Sequence, residues 1–406
     1  MRAKKRRTLF PLLCLGPGVL AALADNDAGG LISYTVTGAE FGWAVFVPLT
    51  LCLTAVTYTV QELAMRLGAA SGLGYTHLLR ERCGKGWMIF QVAALFVENE
   101  LTLLTEFVGM SASLELLGLP VFVSVALSAA LALSVALFSG YAAKQHFGLL
   151  IGLFNLLFLI LACFARPALS PAECAGLCMG RRFHWYAAAL VGNAVAPWMI
   201  FYQNGAYSEE SQRVEKIREG RRDTLIGCVC QTLIAAAMIL IGSSVGTLLP
   251  DAENAGAPEI AAALISHFGP PAGTLFALGL FDAGLLAAVT VSLSSSWSIA
   301  ESFGWSKSMN DDFREAPGFY GIYGFSVLLA ATAALFPFLQ RNAVSVFVQA
   351  AGGVLMTPIL IFLTVLTSSR DVMGEDVNTR GQEIRAWFCV GILTLASAAT
   401  IFLSVH

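Results

Sequence analysis

Ala24-Asp25-Asn26-Asp27-Ala28-Gly29-Gly30 sets two carboxylates and two glycines in the middle of an apolar run that extends from residue 9 to 37. Paired glycines beside acids do not hold a regular helix. A second interruption, Gly192-Asn193-Ala194-Val195-Ala196-Pro197, lies within the apolar run 184–207. Its proline removes a backbone donor and clashes with the preceding turn. Both breaks free backbone carbonyls inside otherwise membrane-length segments. Such carbonyls are tolerated at membrane depth only where they line a cavity or bind something.

The rest of the chain supports a membrane setting. Of 406 residues, 57% are apolar and 13% charged, against about 25% charged in a typical soluble domain. Mean hydropathy is +0.72. This excludes an ordinary water-soluble enzyme, a disordered chain and a collagen-like repeat. The net charge of −3 gives no basic excess for a nucleic acid. Eleven segments are long and apolar enough to cross a bilayer: 9–37, 41–65, 86–115, 119–140, 145–165, 184–207, 223–249, 272–300, 317–339, 343–367 and 386–405. Cys14, Cys52, Cys163, Cys228, Cys230 and Cys389 fall in apolar stretches and behave as small hydrophobes; Cys83 is in a basic loop. Cys174 and Cys178 share one polar loop, where they either pair or stay free thiols.

Basic residues orient the spans. With the N-terminus inside, 20 of the 24 lysines and arginines fall in inside segments, and Arg166, Arg181, Arg182 and Arg341 fall outside. This meets the positive-inside rule. The expectation is a multi-pass cell-membrane protein, in a prokaryotic inner membrane, with a cytoplasmic N-terminus and an outside C-terminus. The basic start, Arg2 to Arg7, followed by an apolar run ending at Ala22-Leu23-Ala24, has the look of a cleavable signal peptide. The apolar pattern resumes after the glycine pair, so the segment reads instead as one interrupted span.

Five spans form an odd-numbered half, so a following five begin from the opposite side. The breaks occupy the first span of each half. Inverted repeats with a midplane site between broken helices are a transporter architecture. The expected fold is all-α: two inverted five-helix repeats (about 9–165 and 184–367), discontinuous first and sixth helices, and an additional helix at 386–405, in a single transmembrane domain. Carboxylates inside spans are costly and mark candidate sites. Asp27 is the foremost, since it lies in the break. Asp25 faces either the same vestibule or the opposite side. Glu98, Glu100 and Glu106 lie in span three and Asp282 in span eight. No lysine or arginine sits in a span core. A deep anionic site without a fixed cation suits a cationic substrate, and hard divalent ions prefer carboxylate, carbonyl and water oxygens.

Several motifs resemble the NRAMP family (natural resistance-associated macrophage protein) of divalent-metal transporters. These are Gly16-Pro17-Gly18, Asp27-Ala28-Gly29-Gly30, the segment Gly38 to Gly42, the segment Glu62 to Gly68, the segment Thr105 to Gly109 and the segment Leu275 to Gly284. The resemblance covers nearly the whole chain and implies the LeuT-like inverted-repeat fold. It implies metal ligation by Asp27, by carbonyls at Ala24 and Asn193, and by Gln349 in span ten. The family's Asp-Pro-Gly-Asn asparagine corresponds to Gly30, and the methionine of its Met-Pro-His motif to Ala196. The soft thioether is gone, and both replacements are smaller. A larger, all-oxygen site suits a partly hydrated Mg2+, which dehydrates reluctantly. This is similar to the NRAMP-related magnesium transporter branch, whose members also accept Mn2+. The family's relay histidine corresponds to Trp198, and the aspartate before Glu106 to Leu103. The family's arginine pair in span nine has no counterpart. The expectation is uptake of Mg2+, with Mn2+ accepted, by alternating access around Asp27 and without proton coupling. Asp25, Glu106, Trp198 and Asp282 are expected around the site or its pathway.

Three competing readings differ in substrate or class. One is a proton-coupled Mn2+ or Fe2+ importer; a second is an amino-acid or amine transporter of the same fold; a third is a non-transporting receptor. An intramembrane enzyme using Asp25 and Asp27 has no supporting catalytic motif, so no enzymatic activity and no cofactor is expected. The expected partners are divalent metal ions and the lipid bilayer, without an obligatory protein partner. The segment 208–223 reads as a solvated inside helix or loop, and 250–271 as a solvated outside loop.

Overall fold

The computed structural model describes residues 16–135, 141–167, 180–209, 213–307, 311, 313–336 and 342–405. The loop with Cys174 and Cys178, the basic stretch 2–7 and Arg341 lie outside the described residues. The described chain is helical, without strands. Its helices are α1 (Pro17–Ala24), α2 (Ala28–Phe41), α3 (Phe46–Ser71), α4 (Tyr75–Cys83), α5 (Lys85–Leu116), α6 (Val121–Val135), α7 (Tyr141–Gly152), α8 (Leu157–Phe164), α9 (Arg181–Ala194), α10 (Pro197–Glu209), α11 (Arg213–Val245), α12 (Ala257–Phe268), α13 (Pro270–Phe303), α14 (Pro317–Ala333), α15 (Asn342–Thr367), α16 (Arg370–Met373) and α17 (Arg380–Val405).

Among the described residues seven helices are long and apolar enough to cross a membrane, and two shorter apolar helices, Val121–Val135 and Pro317–Ala333, accompany them. The pairs α1/α2 and α9/α10 supply two interrupted spans. The eleven expected segments are thus each matched by helix. The fifth is α7 and α8 joined by a tight 3-10 turn at Leu153–Leu156.

Two short helices were not expected. α4 links α3 to α5, and α12 occupies the stretch read as a solvated loop. α12 buries Ala257, Ile260, Ala261, Ala263 and Leu264, a one-sided apolar pattern too short to register as a span. The charged stretch before span seven also differs from expectation. It begins α11 at Arg213, and its last acid, Asp223, is buried.

Helix packing repeats in exchanged pairs. α1 and α2 lie along α11, while α10 lies along α3. α1 touches α7, and α9 touches α15. α5 and α13 pack on each other, with α6 beside the first and α14 beside the second. This is the pairing that two five-span halves of opposite direction produce. Small residues bring the backbones close, as is usual between membrane helices. A Cβ on Gly38 of α2 would lie 2.0 Å from the Ile239 carbonyl of α11, and one on Gly68 of α3 would lie 2.4 Å from the Asn204 carbonyl of α10. The broken helices are thereby clamped against continuous ones, with their interruptions at the centre.

Candidate functional site

The first break is built by carboxylates that take over from carbonyls. α1 stops at Ala24, and α2 restarts at Ala28 with Asp27 as its N-cap. The Gly30 amide donates to Asp27 Oδ1 at 2.5 Å. The Ala28 amide donates to Glu106 Oε2 at 2.8 Å. Half-helix N-termini attract such anions through their free N–H groups and dipole. Because the Ala28 amide turns to Glu106, the Ala24 carbonyl loses its helical donor four residues on. The second break reaches the same result differently. α9 ends at Ala194 and Pro197 opens α10. The residue four after Asn193 is therefore Pro197, which has no N–H to give the Asn193 carbonyl.

The two breaks meet at a small cavity. Asp27, Glu98, Thr102, Thr105, Asn193, Ala196, Trp198 and Gln349 line it, with Gly192, Val348 and Gly352. Its volume is ≈ 20 Å³, room for about one water. Asp27, Asn193, Ala196, Gln349 and Trp198 are therefore brought together as expected, with the Ala24 carbonyl freed at the end of α1. Gly30 lies beside them. A Cβ there would sit 2.8 Å from Asp27 Oδ1 and 3.0 Å from Asn193 Nδ2. Gln349 Oε1 is buried without a hydrogen-bond partner among the described residues. The site is smaller than the Gly30 and Ala196 replacements led us to expect. The Asn193 amide, held by donation to the Tyr34 hydroxyl, occupies the space over Gly30, and Trp198 forms one wall.

Three residues fall outside this cavity. Asp25 faces the opposite way, and its Oδ2 accepts from Gln231 Nε2 of α11. Thr57 of α3 donates to the Ala194 carbonyl at 2.9 Å, and Gln231 reaches that carbonyl at 3.4 Å, so Asp25 belongs to a junction linking both breaks with spans two and seven. Glu106 caps α2 and does not line the cavity. Asp282 is half-buried in α13, and its Oδ2 has no hydrogen-bond partner among the described residues.

Glu98 stands out in the sequence only as one of three span-three acids, not as a residue of the site. It is 3% exposed and lines the cavity beside Asp27. Its Oε1 accepts from Thr102 Oγ1 at 3.1 Å, and its Oε2 has no partner among the described residues. The signal was available: Glu98, Thr102 and Thr105 recur at four and three residues, one helical face. Tyr34, one turn past Gly30, was likewise missed.

Access is unequal on the two faces. A vestibule of ≈ 500 Å³ opens beside α12, lined by Ile32, Thr105, Val108, Gly109, Glu115, Asn254, Glu259 and Ser345 among others. Thr105 borders both vestibule and cavity. On the α4 face the N-terminus of α1 is tied down. Asp223 of α11 accepts from the amides of Gly16 at 2.6 Å, Gly18 at 2.7 Å and Val19 at 3.3 Å, and from the Tyr207 hydroxyl at 3.1 Å. Glu62 joins Arg66 at 3.0 Å and Arg221 at 2.8 Å, while Arg66 donates to the Asp376 carbonyl at 2.7 Å and to Asn378 at 2.6 Å.

The chain is similar to metal transporters over nearly its whole length. It is 25% identical over 410 residues to the divalent metal cation transporter MntH of Deinococcus radiodurans, covering 95% of this chain and 88% of that one. It is 24% identical over 399 residues to the MntH of Klebsiella pneumoniae, covering 94% and 92%. A crystal structure of the Eremococcus coleocola manganese transporter, in complex with an aromatic bis-isothiourea substituted compound, superposes with a TM-score of 0.78. Its identity is 17%, with 98% of this chain and 87% of that chain covered. MhsT in complex with L-phenylalanine shares the fold more distantly, at a TM-score of 0.61 and 14% identity over 96% and 97% of the two chains. The fold is thus LeuT-like. The model of the natural resistance-associated macrophage protein-like (Nramp) family matches residues 18–403, and the chain belongs to that family of divalent-metal transporters.

Proposed function

We propose that the protein carries Mg2+ across the membrane, accepting Mn2+ as well, by alternating access around Asp27 and without the proton coupling of conventional Nramp proteins. The observation that carries this reading is the donor set. Asp27, Glu98, Asn193 and Gln349 line the cavity with carboxylate and amide groups and no sulfur or imidazole, and the two breaks free the carbonyls of Ala24 and Asn193 beside it. All-oxygen sites suit hard divalent ions, whereas thioether and imidazole favour softer ones. Gly30 and Ala196 contribute by being small. The cavity of ≈ 20 Å³ holds no shell of waters, so the cycle includes a wider state in which the ion enters with part of its hydration. Trp198 and Leu103 are not titratable side chains and stand where the family's relay has a histidine and an aspartate, and Glu106 caps α2 against Asp27.

The same contracted cavity favours a second reading, a stripped Mn2+ as substrate, in line with the manganese transporter named above. Membership in a divalent-metal transporter family, matched over residues 18–403, removes support from the amino-acid or amine alternative. In both readings the α4 face, which carries Arg66, Arg80, Arg82, Arg221, Arg222, Arg380 and Arg385, is cytoplasmic.

The test is flux into proteoliposomes of the purified protein carrying a Mg2+-sensitive dye and a pH dye. We expect Mg2+ entry without acidification, abolished in Asp27→Ala. Entry of Mn2+ alone, with acidification, overturns the proposal.

A further inference from the structure

The α4 face holds a second pocket, separate from the central cavity and built against the Glu62 network. Its volume is ≈ 210 Å³, and Tyr58, Thr59, Glu62, Arg221, Gln382 and Arg385 line it between α3, α11 and α17. We propose that it binds the phosphate of an anionic phospholipid headgroup.

The lining is rich in donors. Arg221 and Arg385 supply guanidinium groups, Tyr58 a hydroxyl, and Gln382 an amide whose Oε1 is already used by the Thr379 amide and hydroxyl, while the Thr59 hydroxyl donates to the Ala55 carbonyl at 2.7 Å. That leaves the Gln382 NH2 to face an acceptor. The single acid, Glu62, is neutralised: it pairs with Arg66 at 3.0 Å and with Arg221 at 2.8 Å. Two buried or half-buried arginines on one carboxylate, plus Arg385, leave a local charge of +2. Among the described residues Arg385 reaches only a long 3.4 Å bond from Nε to the Gly381 carbonyl of its own helix. Arginine forks match phosphate oxygens bidentately.

The depth is that of a headgroup. The apolar run of α11 starts just past Arg222 and Asp223, and that of α17 starts just past Arg385. Beyond these points the same helices expose Leu225, Val229, Trp387, Phe388 and Leu395, as helices in contact with acyl chains do. Trp387 sits where interfacial tryptophans concentrate. Basic pockets between helices at this level take anionic headgroups. A zwitterionic lipid offers the same phosphate, but its cation would meet the surplus arginine charge.

The test uses the full-length protein in detergent, with native mass spectrometry to count retained lipid after addition of phosphatidylglycerol or phosphatidylcholine. The expected result is preferential retention of phosphatidylglycerol, falling by about tenfold in Arg385→Gln, a loss of about 1.4 kcal/mol. Gln382→Leu is a second, independent variant expected to fall in the same direction. Arg80→Gln, an exposed arginine of α4 away from the pocket, is expected to retain lipid normally. Equal retention of both lipids, or full retention by the two pocket variants, overturns the proposal. Competition by millimolar glycerol 3-phosphate or inorganic phosphate also overturns it, assigning the pocket to a soluble phosphate compound. A melting temperature unchanged in lipid-free detergent confirms that each variant is folded.

Discussion

At the scale of single residues, the site turns on what stands at positions 30 and 196. Gly30 leaves Asp27 and Asn193 in mutual reach, and any Cβ there meets Asp27 Oδ1 at 2.8 Å and Asn193 Nδ2 at 3.0 Å. A contact this close forces the carboxylate or the amide to move. Gly30→Asn, which restores the family's asparagine, is therefore expected to lower Mg2+ flux by at least about tenfold rather than to create a conventional site; a converse gain in Mn2+ flux would show that Asn193 yields easily. Ala196→Met places a thioether beside the same oxygens. Soft ions prefer sulfur, so competition by Cd2+ is expected to strengthen by about tenfold while Mg2+ flux falls, read as inhibition constants in the same vesicles. Asp27 was legible from the sequence because an acid in a broken span has no ordinary explanation. Glu98 was not, because two further acids, Glu100 and Glu106, share its helix and only one helical face distinguishes it. The structure separates them: Glu98 lines the cavity, Glu106 caps α2, and Glu100 is half-buried against Ser326 of α14.

At the scale of elements, the two halves of the first interrupted span are held by acids at their starts. Glu106 accepts from the first amide of α2, and Asp223 accepts from three amides at the start of α1. A cap is worth about 0.5–2 kcal/mol. Glu106→Gln keeps an acceptor oxygen and is expected to leave thermal stability in detergent nearly unchanged, whereas Glu106→Ala leaves the Ala28 amide buried and unpaired and lowers the melting temperature. Equal melting of both variants would deny the capping role. Asp223→Ala frees the start of α1 from α11. Cys228 is buried one turn along α11 from Asp223, so its alkylation by a membrane-permeant maleimide, followed by site-resolved mass spectrometry, is expected to rise by about tenfold, as a cap loss near 1.4 kcal/mol implies. The eleven spans and both breaks were readable from hydropathy and from Gly, Asp and Pro placement. The caps were not, because Asp223 lies 207 residues from Gly16 in sequence and in a stretch whose charge reads as solvated. Only the folded pairing of α1 with α11 brings them together. α12 escaped for a related reason: twelve residues with one apolar face resemble a loop until something covers that face.

At the scale of the whole molecule, a vestibule of ≈ 500 Å³ stands on the α12 face, a cavity of ≈ 20 Å³ lies at the centre, and the Asp223 and Glu62 networks close the α4 face. In the proposed alternating-access cycle, opening the second face would take α1 from α11 and shift α10 on α3, the exchanged pairs of the two halves. The same inverted pairing that makes the fold thus supplies two alternative arrangements of similar contacts. What drives the exchange depends on charge. A divalent ion moving down an inside-negative potential gains roughly twice 2.3 kcal/mol per 100 mV, enough for accumulation without a second ion. On the uncoupled reading proposed above, Trp198 and Leu103 replace the family's titratable relay groups, and a proton gradient does not drive the cycle. Mg2+ entry is therefore expected to follow an imposed potassium-diffusion potential, rising as the interior becomes more negative, and to stay unchanged when an inward proton gradient is imposed at zero voltage. The dependence should persist in Asp25→Asn, whose side chain can still pair with Gln231, and vanish with all flux in Asp27→Ala. Accumulation driven by the proton gradient alone would place a proton path through this molecule, and the buried acids Asp25 and Glu98 would be the first residues to replace in tracing it.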